Sequence, residues 1–150
     1  YQSLIIGSVR DPIILRQFDS WLEGLLKAAR DRIRAVYGAD IDAKYRLDVR
    51  VFGRNATMGK LESNISIGHE LGLLFQVTAD AQELATGLAK SVGHIAVHYP
   101  VPEWTGLITS IAFPYSPAEL ERGASYRFNL NHVVEPDSPL EMFGIDYQNV

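Results

Sequence analysis

Hydrophobic positions along the chain switch between a period near two and a period near 3.6, and the switches divide it into seven segments. Gln2 to Val9 is a short apolar run rich in branched residues and bounded by a turn, which predicts a buried strand. Asp11 and Pro12 then mark a helix start: the carboxylate can accept from the free N–H groups of the first turn, and proline loses no hydrogen bond at the first helical position. Ile14, Phe18, Trp21, Leu22, Leu25, Leu26, Ala29, Ile33 and Val36 recur at steps of three and four, so one long helix is expected to end at Gly38. Tyr45 to Phe52 alternates strictly, with Tyr45, Leu47, Val49 and Val51 on one face and Arg46, Asp48 and Arg50 on the other. Gly53 to Gly68 lacks periodicity and reads as a long connection into a second, more deeply buried strand from His69 to Thr78.

Asp80 with Glu83 forms a capping pair ahead of a helix that carries Leu84, Leu88, Val92 and Ile95 on one face and ends near Tyr99-Pro100. Gly106 to Phe113 reads as a strand, and Pro117 to Arg122 as one or two helical turns capped by Ser116. Tyr126, Phe128, Leu130, His132 and Val134 alternate with Arg127, Asn129, Asn131 and Val133 in a long last strand. The order βαββαββ predicts an α+β, ferredoxin-like βαββαβ sandwich with an additional C-terminal strand, its two helices on one face of the sheet. The opposite face would be polar, through Arg46, Asp48, Arg50, Arg127, Asn129 and Asn131.

At 150 residues and 47% hydrophobic composition the chain is the size of one domain and can fill a core without staples. It contains no cysteine, which removes disulfides, thiolate metal sites and a cysteine nucleophile, and suits a reducing, cytoplasmic setting. The net charge of −4 argues against a nucleic-acid partner, and no apolar run is long enough for a membrane partner. Arg10, Asp11 and Pro12 interrupt the first apolar stretch before the core of a signal peptide could form. The start at Tyr1, running almost at once into Leu4-Ile5-Ile6, leads us to expect a domain of a longer protein.

Few residues carry a chemical signal. His94 and His98 are four apart on a predicted helix, as a zinc site requires, but Ile95, Ala96 and Val97 leave no general base between them and no third ligand is evident, so no metal is expected. His69 and Glu70 combine a residue that titrates near neutrality with a carboxylate, although neighbours on a strand point to opposite faces. His132, on the apolar face of the last predicted strand, reads as a partly buried histidine. Arg54 and Lys60, in the stretch Gly53-Arg54-Asn55-Ala56-Thr57-Met58-Gly59-Lys60, could meet an anion, yet the spacing is not that of a phosphate loop. Nucleophile-elbow and dinucleotide fingerprints are absent, so no cofactor is expected and no enzyme site emerges from the residues alone.

Several segments in order resemble the C-terminal region of acyclic terpene utilisation (AtuA-like) proteins: Val51-Phe52-Gly53-Arg54-Asn55-Ala56-Thr57-Met58-Gly59, His69-Glu70-Leu71-Gly72-Leu73-Leu74, Thr78 to Ala85, Ala112-Phe113-Pro114-Tyr115-Ser116-Pro117, and His132 to Phe143, with Gly7-Ser8-Val9-Arg10-Asp11-Pro12 at the front. That family comprises longer bacterial proteins linked to breakdown of citronellol and geraniol through acyl-CoA intermediates. The resemblance implies a C-terminal domain that assists a site belonging mainly to an N-terminal domain, with that domain and an acyl-CoA-type small molecule as partners. On this reading Arg54, Asn55 and Lys60 are the candidates for substrate binding, and His69, Glu70 and His132 the candidates for catalysis. A non-catalytic module that forms a homo-oligomer through its sheet, or a small stand-alone enzyme using His69 or His132 as base, are the other readings.

Overall fold

Gln2–Val9 forms the first strand, β1, and this strand becomes an inner strand of the sheet rather than its edge. The computed structural model describes residues 1–64, 66–101, 103–104 and 110–148. After β1 come α1 (Pro12–Arg16), α2 (Phe18–Tyr37), β2 (Tyr45–Phe52), β3 (Leu71–Ala79), α3 (Gln82–His98) and β4 (Glu119–Gly123), with short 3-10 turns at Ala39–Ala43 and Gly59–Leu61. The four strands lie in the order β2-β3-β1-β4, and every neighbouring pair is antiparallel. The protein is therefore of the α+β class expected from its sequence.

The core forms where the periodic faces meet. Leu71, Leu73, Phe75 and Val77 of β3 alternate inward with at most 1% exposure, opposite Phe18, Trp21, Leu25, Ala29 and Ile33 of α2 and Ala85, Leu88, Ala89, Val92 and Ala96 of α3. Small residues let α3 close on the sheet: a Cβ at Gly93 would stand 3.2 Å from Ile5 Cδ1. α3 packs against β1, β3 and β4, while α2 lies beside it. At the start of α3, Gln82 Nε2 donates to Ser3 Oγ (2.8 Å) and Thr86 Oγ1 (3.2 Å), and Gln82 Oε1 accepts from the Gly123 N–H (3.1 Å). One side chain thus ties α3 to a central strand and to the end of β4. The Trp21 indole N–H donates to the Pro100 carbonyl, and Tyr99 meets Trp21 edge-on with 6.0 Å between ring centroids.

The structure corrects several expectations. The first helix breaks at Gln17 (φ −127, ψ 31), which turns the chain so that Ile14, Leu15 and Phe18 are all buried. Asp11 caps α1 as expected, through the N–H groups of Ile13 and Ile14 at 2.7 and 3.1 Å. The Asp80–Glu83 capping pair does not form: Ala81 is the cap of α3 and supplies no side-chain acceptor. Most of the stretch Pro117 to Arg122, expected to be helical, lies in β4 (Glu119–Gly123), because Leu120 finds Leu4 across the sheet while Glu121 turns toward α3 and accepts from Thr86 Oγ1 (2.9 Å). Pairing with β1 outweighs the helix preference of Leu, Glu and Arg in so short a segment.

The additional C-terminal strand is absent among the described residues: 124–148 contain no helix or strand. Of the strand expected over Gly106 to Phe113, residues 106–109 lie outside the described residues. Beyond them Ala112 makes a single antiparallel bridge to Ser8, and Ser110 Oγ donates to the Ala96 carbonyl. No helix among the described residues is long and apolar enough to cross a membrane.

Candidate functional site

β1 and β3 pair in register from Gln2 opposite Thr78 to Val9 opposite Leu71. The chain leaving Val9 and the chain arriving at Leu71 are therefore neighbours, and this brings Arg10 together with His69, two residues outside the strand. Asp11 and Pro12 start α1 immediately, and α1 adds Leu15 and Arg16 to the same wall. Ile67 and Gly68, just ahead of His69, complete the lining. The result is an open groove of about 700 Å³ lined by two arginines and a histidine together with apolar Pro12, Leu15 and Ile67. Among the described residues neither Arg10 nor Arg16 makes a salt bridge, and the carboxylates Asp11 and Glu70 adjoin Arg10 and His69 along the chain.

The residues singled out from the sequence do not converge on one point. His69 lines this groove, and Glu70 is exposed beside it in the bend that enters β3. Arg54 lies elsewhere, over the N-terminal end of α2. Its guanidinium forms a two-pronged ion pair with Asp19, Nη2 to Oδ2 at 2.6 Å, and sits 5.7 Å above the Phe18 ring centroid. Asn55 follows in the turn after β2, where its N–H donates to the Val51 carbonyl at 3.1 Å. Lys60 is exposed in the Gly59–Leu61 turn.

His132 was expected to be partly buried on a strand face, and it is exposed in the irregular C-terminal segment. That segment pairs with no strand among the described residues, so nothing is laid over the histidine. His94 and His98 meet edge to face, with 5.5 Å between ring centroids. Among the described residues no three His, Cys, Asp or Glu side chains stand together as a metal site would need.

Shifted ionisations lie away from the groove, on α2 and β2. The hydrogen bond from Lys27 holds the Asp31 carboxyl below the usual carboxylate range, and burial pushes the Tyr45 hydroxyl above its ordinary value. Both are consequences of structural packing and pairing.

Arg10 and Arg16 were not singled out from sequence: Arg10 stands in the resembling segment Gly7 to Pro12 without a chemical signature of its own, and Arg16 belongs to no motif. The only local signal was the sharp strand-to-helix turn at Asp11-Pro12, and the register of β1 against β3, which brings His69 to that turn, is not written in either segment alone. No protein-family model matches the chain, and neither does any curated protein or solved structure.

Proposed function

We propose that this chain is the C-terminal accessory domain of a bacterial, cytoplasmic protein of acyclic terpene catabolism, with a ferredoxin-like βαββαβ fold. Its role is to help an N-terminal domain form the site for an acyl-CoA-type substrate. The strand order β2-β3-β1-β4, with α3 laid across β1 and β3, supports the fold, and the ordered run of short segments that resemble AtuA-like proteins supports the pathway. The observation that carries the substrate class is the groove between α1 and the entry to β3, because it joins two features that a thioester of coenzyme A requires. Arg10 and Arg16 offer forked N–H donors to phosphate oxygens. Pro12, Leu15 and Ile67 offer an apolar surface to a branched hydrocarbon chain. His69, in the lining of the same groove, can donate a ring N–H to the thioester carbonyl.

The groove is open, and a second domain laid over it would exclude water and strengthen each of these contacts. The test is native mass spectrometry of the chain, alone and mixed with the separately made N-terminal portion of its parent, with geraniol- and citronellol-derived acyl-CoA thioesters. The expected result is a complex that retains thioester where neither piece does so alone, with retention reduced at least tenfold by Arg10→Ala combined with Arg16→Ala. Retention unchanged in that double variant would overturn the assignment of the groove, and absence of any complex would overturn the accessory role.

A further inference from the structure

The outer edge of the sheet and the C-terminal segment each lack a counterpart, and they match one another. β2 is the edge strand, so the outward N–H and C=O groups of Tyr45–Phe52 meet no strand among the described residues. Leu22 and Leu26 on α2 and Leu47 and Val49 on the strand are only partly buried, and a groove of about 360 Å³ runs between them. The groove is of mixed character, its apolar patch of Leu22, Leu26, Leu47 and Val49 lying among Asp19, Arg30, Asp48, Arg54 and Asn55; an edge of this length with such a patch beside it accepts an added strand, whose alternate side chains cover the patch.

Tyr126–Val134 has the pattern such a strand needs. Tyr126, Phe128 and Leu130 share one face and are 92%, 82% and 75% exposed, while Arg127, Asn129 and Asn131 supply the polar face. Nine residues with this alternation match the eight residues of β2. The segment leaves the body of the molecule from a fixed root, the Gly123 N–H held by Gln82, and its apolar side chains remain off the surface of its own chain.

We propose that Tyr126–Val134 of one copy of this chain adds as a fifth strand to the β2 edge of a second copy. Its residues Tyr126, Phe128 and Leu130 then enter the groove between β2 and α2, and the exchange is reciprocal. Each aromatic buries roughly 150–250 Å², and two arms with their two grooves exceed the roughly 1,000 Å² of a specific interface. This inference uses neither Arg10, Arg16 nor His69, so it stands or falls apart from the thioester reading.

Sedimentation equilibrium of the full chain, together with cysteine trapping in a sequence that has no cysteine of its own, tests it. A concentration-dependent dimer is expected, converted to monomer by Phe128→Asp with Leu130→Asp at unchanged circular dichroism and melting temperature, since both side chains are exposed in the single copy. Mixing a Val49→Cys chain with chains carrying Phe128→Cys, Leu130→Cys or His132→Cys should give an interchain disulfide for one of the three. A wild-type chain that stays monomeric to 100 µM, or a dimer that survives the double aspartate variant, would overturn the proposal. So would crosslinks that form only within one chain when both cysteines are placed in it, since the arm would then lie on its own edge.

Discussion

Arg54→Ala separates two views of the residue that the sequence marked as an anion contact. In the structure its side chain is only 20% exposed, although Asp19, its partner, is 75% exposed. An ion pair with one member so open to water contributes on the order of 0.2–1 kcal/mol. The guanidinium over Phe18, at 5.7 Å, contributes a further 0.5–1 kcal/mol or so. The alkyl stem covers part of α2, so its loss costs packing as well. The expected destabilisation is about 1–2 kcal/mol.

For a chain of this size the urea dependence is on the order of 2 kcal/mol per molar, so the unfolding midpoint should fall by about 0.5–1 M with an unchanged slope. Asp19→Asn should cost less, because it leaves the guanidinium on the ring, and the double-variant cycle should show coupling of a few tenths of a kcal/mol. Added salt at 0.5 M should shrink the coupling while leaving most of the Arg54→Ala effect, because the ring contact is screened less than the exposed pair. A midpoint for Arg54→Ala within about 0.2 M of wild type would refute the clamp and free Arg54 for a ligand.

Three further outcomes follow from other parts of the fold. Gln82→Ala removes the side chain that joins α3 to Ser3 and Gly123, and should cost about 1–2 kcal/mol while speeding amide exchange in β4 more than in β3, as hydrogen exchange read by mass spectrometry would register. Gly87→Ala should stabilise by up to about 1 kcal/mol in thermal unfolding: the added methyl meets the hydroxyl tip of Tyr37 at 2.6 Å, and that ring, 40% exposed, can swing into solvent. Burial raises the Tyr45 pKa above its unfolded value near 10, so its contribution is intact below that pH and is lost as pH rises through the folded pKa; Tyr45→Phe should flatten the stability curve above pH 10, and an identical alkaline limb in both proteins would count against this account.

The sequence revealed elements whose partners are set by their own periodicity. The α2 stripe through Phe18, Trp21, Leu25, Ala29 and Ile33 is buried as expected, and so are the alternate positions of β3. The reading lost accuracy where an element is defined by what lies across from it. Glu119–Gly123 is a strand only because β1 has a free side there, and nothing local in Leu-Glu-Arg says so. Tyr126 to Val134 failed in the opposite sense: the alternation is real, but alternation records only the faces a strand would have, and supplies no neighbour to bond with. The candidate site was legible only at His69. Arg10 and Arg16 depend on a register between segments some sixty residues apart, which no short motif encodes.

The inner position of β1 has a consequence for synthesis. β1 is made first among these elements, yet its two neighbours are β3 and β4, so its earliest pairing, Val9 with Leu71, needs a residue 62 positions later in the chain. At roughly 5–20 residues per second a ribosome takes several seconds to supply it. During that interval Leu4-Ile5-Ile6 emerges as an unpaired apolar strand, and the sheet cannot begin to close from its amino-terminal side. The hairpin of β2 and β3 is the first strand pairing available, and β1 must be kept from other nascent chains until that template exists.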